Sequence, residues 1–411
     1  MPGMHVRIHE RITLTNLILI MKKVTLLVGL AAALGFNNAE AVDWNWKGDI
    51  RYRYESTFKD KDAIDDEHSR DRHRMRVRIG VYPWITEELS AGVQLSTGGN
   101  ETTSRNETFD DAFISDDIKL NEAYIDYHPM FLNGDVNVIL GKRDVAKTLI
   151  VMKDLVWDGD ITLEGATLQY GKDADGKEKD GINAVVGYYA LNELNDDDKA
   201  IPTFREQDAY LVAGQLAYTG EVSDLGYRIG AAYYDYVNFD YQNAGSTYKP
   251  AFDYRGKDFN IVELFASVGG QITETVPWKV YGQYAFNTAS EDNSRSDRYN
   301  IDDSKRDAYM VGLQIGNAKS PGQWAISGEY VSIEKDAVTV LTDSDRNNTL
   351  SSSSTQAKES GTSTDLEGFK IGATYHLVQN MTIGANYYHF NQIDSDDPTY
   401  HLFQADVVVK F

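Results

Sequence analysis

Apolar and polar residues alternate along most of this chain. In "WKGDIRYRYE", Trp46, Gly48, Ile50, Tyr52 and Tyr54 share one face, while Lys47, Asp49, Arg51, Arg53 and Glu55 share the other. In "DRHRMRVRIG", every second residue from Arg72 to Arg78 is arginine, and Met75, Val77 and Ile79 fill the gaps. The last stretch sets Phe403, Ala405, Val407, Val409 and Phe411 against Gln404, Asp406, Val408 and Lys410. Period two marks strands whose faces meet different surroundings. It predicts strands at 46–56, 72–82, 88–97, 118–128, 135–142, 161–170, 182–191, 207–218, 226–236, 259–269, 278–287, 307–316, 323–334, 367–377, 381–390 and 400–411. That is about sixteen strands, an even number as in bacterial barrels, each near the roughly 9–11 residues that cross a bilayer when tilted.

The connections alternate too. Segments 57–71, 98–117, 237–258, 288–306 and 335–366 are long and acidic; 83–87, 129–134, 317–322 and 378–380 are short. The exception is 171–181, "GKDADGKEKDG". Long loops at one rim and short turns at the other form the pattern of a transmembrane barrel. The polar stretch "SSSSTQAKESGTST" interrupts the pattern without dividing the chain into domains.

A single sheet of this size with one apolar face would be insoluble and would have two open edges. Closure removes the edges, and lipid covers the apolar face. The expected fold is therefore all-β, an antiparallel transmembrane barrel whose interior is too wide for side chains to fill. Aromatics near strand ends fit the lipid–water boundary: Trp44, Trp46, Tyr52, Tyr54, Tyr82, Trp84, Tyr127, Tyr170, Trp278, Tyr330, Tyr375 and Tyr387.

Composition refines this picture. The 411 residues carry a net charge of -23 and no cysteine, which excludes disulfides and thiolate metal sites. Met21-Lys22-Lys23 precedes "VTLLVGLAAALGF" and the small-x-small site Ala39-Glu40-Ala41. This is a secretory leader, with cleavage expected after Ala41 and residues 1–20 as an upstream extension. Residues 42–411 are then one mature barrel domain. Removing 1–41 takes away four of 40 basic and two of 63 acidic residues, leaving 36 against 61. An exported polyanion is a poor nucleic-acid binder, so no nucleic-acid partner is expected.

Several motifs in order sharpen the reading. "RYRYES" is followed by the arginine strand, then "AGVQLSTGGNETTSRNETFDDAF", "IKLNEAYIDYHP", "LVWDGDITLEG", "QWAISGEYVSIEKDA", "LTDSDRNNT" and "FQADVVVKF". Together they resemble the putative porin family of Gram-negative outer membranes over nearly all of 44–411. The resemblance implies passive diffusion of ions and small hydrophilic solutes through the outer membrane. It implies that the terminal Phe411 is similar to the signal read by the barrel-assembly machinery. The general porins, similar in pattern, are trimers, so a homotrimer is implied by resemblance alone. Outer-membrane lipid and lipopolysaccharide are the expected surroundings.

Within such a barrel, Met75, Val77, Ile79 and Val81 face lipid and Arg72, Arg74, Arg76 and Arg78 face the lumen, beside Arg51 and Arg53. Residues i and i+2 on a strand lie roughly 7 Å apart. Like charges at that distance repel by about 0.6 kcal/mol even in water. Six arginines therefore need counter-charges. Glu122 and Asp126 fall on an inward face. The third long connection, 143–160, carries Asp144, Asp154, Asp158 and Asp160 with the apolar runs "LIVM" and Leu155-Val156-Trp157. An apolar run is better covered than exposed. In the similar general porins the third loop folds inward, so 149–157 is expected to pack against the inner wall. Asp154, Asp158 and Asp160 would then approach the arginines.

Other readings compete. A barrel enzyme needs a nucleophile, a base and an orienting group. Mature histidines are His68, His73, His128, His376, His389 and His401, and "AISGE" is not a G-x-S-x-G elbow. "NDDDK" (195–199) and "DSDD" (394–397) lack the spacing of a calcium loop. No cofactor or metal is expected. A channel specific for oxyanions or sugars is the alternative: the arginine row could grip oxyanions bidentately. A non-conducting barrel plugged by its loops also fits the sequence.

Overall fold

The computed structural model describes residues 42–60, 68–99, 102–130, 134–193, 208–238, 258–289, 304–339, 341–346, 364–394 and 399–411. The expected leader, 1–41, lies outside them, as do "NDDDK" and most of the serine-rich stretch. The compact unit Trp44–Phe411 is a barrel.

Its strands are β1 (Asp43–Asp60), β2 (His68–Thr86), β3 (Leu89–Ser96), β4 (Glu107–Thr108), β5 (Lys119–Tyr127), β6 (Val136–Asp144), β7 (Thr162–Tyr170), β8 (Gly181–Asn192) and β9 (Ala209–Val222). They continue with β10 (Leu225–Val237), β11 (Asn260–Thr273), β12 (Val276–Asn287), β13 (Asp307–Gly316), β14 (Trp324–Ile333), β15 (Leu366–Val378), β16 (Met381–Gln392) and β17 (Thr399–Lys410). All seventeen belong to one sheet. The two-residue β4 pairs with β2 at Arg74↔Thr108, above the stretch of β2 that β3 covers. The wall therefore has sixteen long strands, as the periodicity predicts.

Closure comes from β1 against β17, antiparallel from Asp49↔Lys410 to Asp60↔Thr399. At its foot Gly48 and Phe411 exchange backbone hydrogen bonds of 2.8 and 3.1 Å. β1 and β2 run longer than predicted, at 18 and 19 residues.

The outer face is apolar and exposed: Ile50, Ile79, Val93, Ile125, Leu140, Leu216, Val311 and Ile371 stand along it. Trp46, Trp84, Tyr127, Tyr170 and Tyr375 are exposed toward the short-turn rim, and Tyr52, Tyr188, Tyr309, Tyr330 and Tyr387 toward the other. Two such belts bracket a lipid-facing band. Tyr82 departs from expectation. It shares the parity of Arg78 and points inward, donating to Glu122 at 2.8 Å.

The inner face has two unlike halves. Around β1, β2 and β17 it is charged. Along β8 to β13 it is apolar, with Leu211, Ala213, Tyr234, Ile261, Phe265, Tyr281 and Met310 buried. Apolar residues facing both ways would leave this half uncovered inside. The third long connection covers it.

Candidate functional site

That connection, 145–161, opens with a helical turn, α1 (Val145–Thr148), capped by Asp144, whose carboxylate accepts the Ala146 N–H at 2.9 Å. The chain then crosses the lumen. Leu149, Ile150, Leu155, Val156 and Trp157 are all at most 1% exposed and join one cluster with the apolar wall. Burying each large side chain contributes about 1.5–3 kcal/mol, enough to offset the ~1–2 kcal/mol per residue of ordering a loop. Polar wall residues fix the register. Gln215 on β9 exchanges hydrogen bonds with the Ile150 backbone at 2.7 and 3.0 Å. Gln283 on β12 donates to the Lys153 carbonyl at 3.4 Å. Trp157 meets Tyr234 of β10 edge-on, with ring centroids 5.2 Å apart. The expected inward packing of 149–157 is what the geometry shows.

A second loop joins it, which sequence reading did not anticipate. Between β14 and β15, Ala337, Val338 and Leu341 are buried in the same cluster. Leu341 accepts the Asp158 N–H, and Thr342 donates to the Asp154 carbonyl at 3.1 Å. Arg346 is fully buried and bonds the Asp154 carboxylate, with Glu329 at 3.6 Å. Burial would lower the Arg346 pKa, but Asp154, Asp343 and Glu329 hold it above its ordinary value. The sequence signal was a short apolar run, 337–341, in a polar segment.

Opposite stands the arginine wall, and five of its six members have a described carboxylate within 4 Å. Arg53 reaches Asp406 on β17 at 2.7 Å and Asp345 at 3.1 Å. Arg72 pairs with Glu55, which lies 3.7 Å from Arg74. Asp49 takes Arg76 at 2.9 Å and Arg78 at 2.7 Å. Asp160 lies 3.4 Å from Arg76 and 3.8 Å from Arg78. Arg51 donates to Asn106.

Of the three loop carboxylates expected at the wall, therefore, Asp160 arrives there. Asp154 does not: Arg346 draws it to the second loop. Asp158 accepts the Asp160 N–H at 2.7 Å and shapes the turn that presents Asp160. The partners that sequence reading passed over, Asp49, Glu55 and Asp406, share the inward parity of the arginines and sit on the same or adjoining strands. Parity alone could have found them.

Glu122 and Asp126 do point inward and are buried, but they serve other cations. Glu122 accepts from Tyr82 and from the Asp144 backbone, with Lys147 at 3.4 Å. Asp126 binds Arg143 at 3.0 Å and lies 3.3 Å from His128. His128 in turn contacts Ser90 at 2.9 Å and Asn137 at 2.8 Å. The row Ser90–His128–Asp126 has the outline of a hydrolytic triad. Yet β3 is hydrogen-bonded on both sides, in register with Trp84 and Asp126 at Ser90. The row is a polar strut at the short-turn end of the lumen.

The inner wall is thus lined by arginine–carboxylate pairs, a polar surface suited to water. Among the described residues no cluster of acidic or histidine side chains could hold a metal, and no helix is long and apolar enough to span a membrane.

A family described as "Putative porin" matches residues 35–254 and 240–411. No curated sequence matches the chain. Among solved structures the fold is similar to the high-pH structure of OprB from Pseudomonas putida, at TM-score 0.53 and 10% identity, covering 90% of this chain and 94% of that one. It is also similar to Salmonella typhi OmpF in complex with daunomycin, at TM-score 0.50 and 14% identity, covering 90% and 97%.

Proposed function

The chain belongs to the putative porin family and is an outer-membrane channel, and we propose that it is a general diffusion porin for ions and small hydrophilic solutes. The observation that carries this is the inward third loop, which brings Asp160 to 3.4 Å from Arg76 inside the barrel. The loop narrows the lumen and lines it with paired charges, so polar solutes pass and apolar ones are disfavoured.

The pairing of the wall supports a general pore over an oxyanion-specific one. Arg53, Arg72, Arg74, Arg76 and Arg78 already have carboxylate partners. An incoming oxyanion would have to displace them. We read the protein as a channel without enzymatic activity or cofactor. Residues 1–41 we assign to the upstream extension and leader, cleaved after Ala41. Phe411 we assign to recognition by the barrel-assembly machinery, with the mature barrel a homotrimer among lipid and lipopolysaccharide.

Single-channel recording in a planar bilayer tests the proposal. Wild type should conduct, Arg76→Ala should shift the reversal potential toward cations, and Asp160→Asn toward anions. A folded barrel without conductance would sink the pore reading. Unchanged selectivity in both variants would sink the constriction.

A further inference from the structure

The turn after β7 broke the short-turn rule in the sequence, and the structure gives it a place. Residues 171–180 fold inward from the rim of short turns, which in outer-membrane barrels is the periplasmic one. Lys172 is fully buried, donating to the Leu149 carbonyl at 2.6 Å and lying 3.3 Å from Glu178. Arg143 donates to the Ala174 carbonyl at 2.7 Å, and Asn137 to the Lys172 carbonyl at 2.9 Å. Glu178 accepts from Arg228 on β10 at 2.8 Å. Gly176, at φ +82, lies so close to α1 that a Cβ there would stand 2.5 Å from the Lys147 carbonyl oxygen. The third loop is thus held from below by a periplasmic turn as well as from the side by the wall.

The tip of the turn reaches further. Asp175 meets Lys47 of β1 at 3.3 Å, and both side chains are more than half exposed. The Lys47 and Lys147 ammonium groups stand 5.8 and 5.1 Å from the Tyr82 ring centroid. These groups border a chamber of about 390 Å³ with Asp49, Arg78, Arg143, Asp144 and Lys410 at the periplasmic end of the lumen.

We propose that turn 171–180 is a second pore-narrowing element, which with the third loop sets the size limit of the channel and, through the Lys47–Asp175 bridge, the charge of its exit. This rests on the porin reading. It adds a determinant of specificity on the periplasmic side, where short turns would leave the exit as wide as the barrel.

The test uses the full mature barrel refolded into lipid. One variant replaces 173–177 by Gly-Gly and keeps Lys172. The others, Asp175→Ala and Asp175→Lys, alter only an exposed side chain and leave folding intact. Single-channel conductance and liposome swelling with sugars of increasing size are the readouts. The shortened turn should raise conductance on the order of two-fold and admit larger sugars, as expected of a widened constriction. Asp175→Lys should shift the reversal potential toward anions, with Asp175→Ala intermediate. A shortened variant that folds but keeps wild-type conductance and size limit overturns the proposal, and so does an unmoved reversal potential in Asp175→Lys. If wild type conducts and the shortened variant changes neither conductance nor size limit, this proposal falls while the porin reading stands. If both are closed, the porin reading fails and this proposal with it.

Discussion

At Asp343 a single proton bears on the loop seat. It lies in the loop between β14 and β15, 3.8 Å from Lys370 and 4.0 Å from Arg346. Burial first, and the negative charge of Asp154 second, push its carboxyl up to about 7. Between the ordinary value of 3.8 and about 7 the folded site holds more protons than the unfolded chain, so stability falls as pH rises through that window. Asp345 behaves oppositely. Burial would raise it, but Arg53 holds it near 2, so its contribution is present above pH 3.8 and lost as pH falls toward 2. The two windows adjoin, and the loop seat is most favourable near their meeting point. Asp343→Asn should therefore remove the falling limb. Thermal unfolding in one detergent should show wild type losing stability from pH 4 to 7 relative to the variant. Parallel curves for the two proteins would refute the assignment.

At the scale of the element, the third loop behaves as a small core docked inside a barrel. Trp157 is buried against Tyr234, at the centre of the seat. Trp157→Ala should cost roughly 3–5 kcal/mol of docking energy, as large-to-small core changes do. The sixteen wall strands do not depend on the loop, so β-sheet circular dichroism should persist. Open-channel noise should grow, and protease should cut near 149–157; a quiet, resistant variant would contradict the docking account. This loop was legible because two dense apolar runs, 149–152 and 155–157, make no sense in solvent. Its neighbour between β14 and β15 was passed over, because the short apolar run 337–341 is set in a long polar connection and gives no sign of which surface it meets. The pairing of Asp154 with Arg346 escaped for the same reason. Sequence patterns rank residues by local environment, and this contact joins positions 192 apart.

For the whole molecule, strand count and loop parity could be read directly because lipid and water impose a period of two along each strand. The unlike halves of the lumen could not. "YLVAGQLAY" on β9 is apolar toward lipid at Val212 and Leu216, and apolar toward the loop at Leu211 and Ala213. An inward apolar face has meaning only once the third loop is known to cover it. The closing seam has a similar double character. Phe411 exchanges two backbone hydrogen bonds with Gly48, yet the residue is 53% exposed. A net 0.5–1.5 kcal/mol per hydrogen bond puts the structural cost of deleting Phe411 at roughly 1–3 kcal/mol, small for a barrel closed by a full strand pair. If the terminal ring is read by the assembly machinery, the cost in cells is of another order. The deleted chain should refold in detergent almost as stably as wild type while its yield in the outer membrane collapses. Equal, modest losses in both measurements would make Phe411 a seam residue and nothing more.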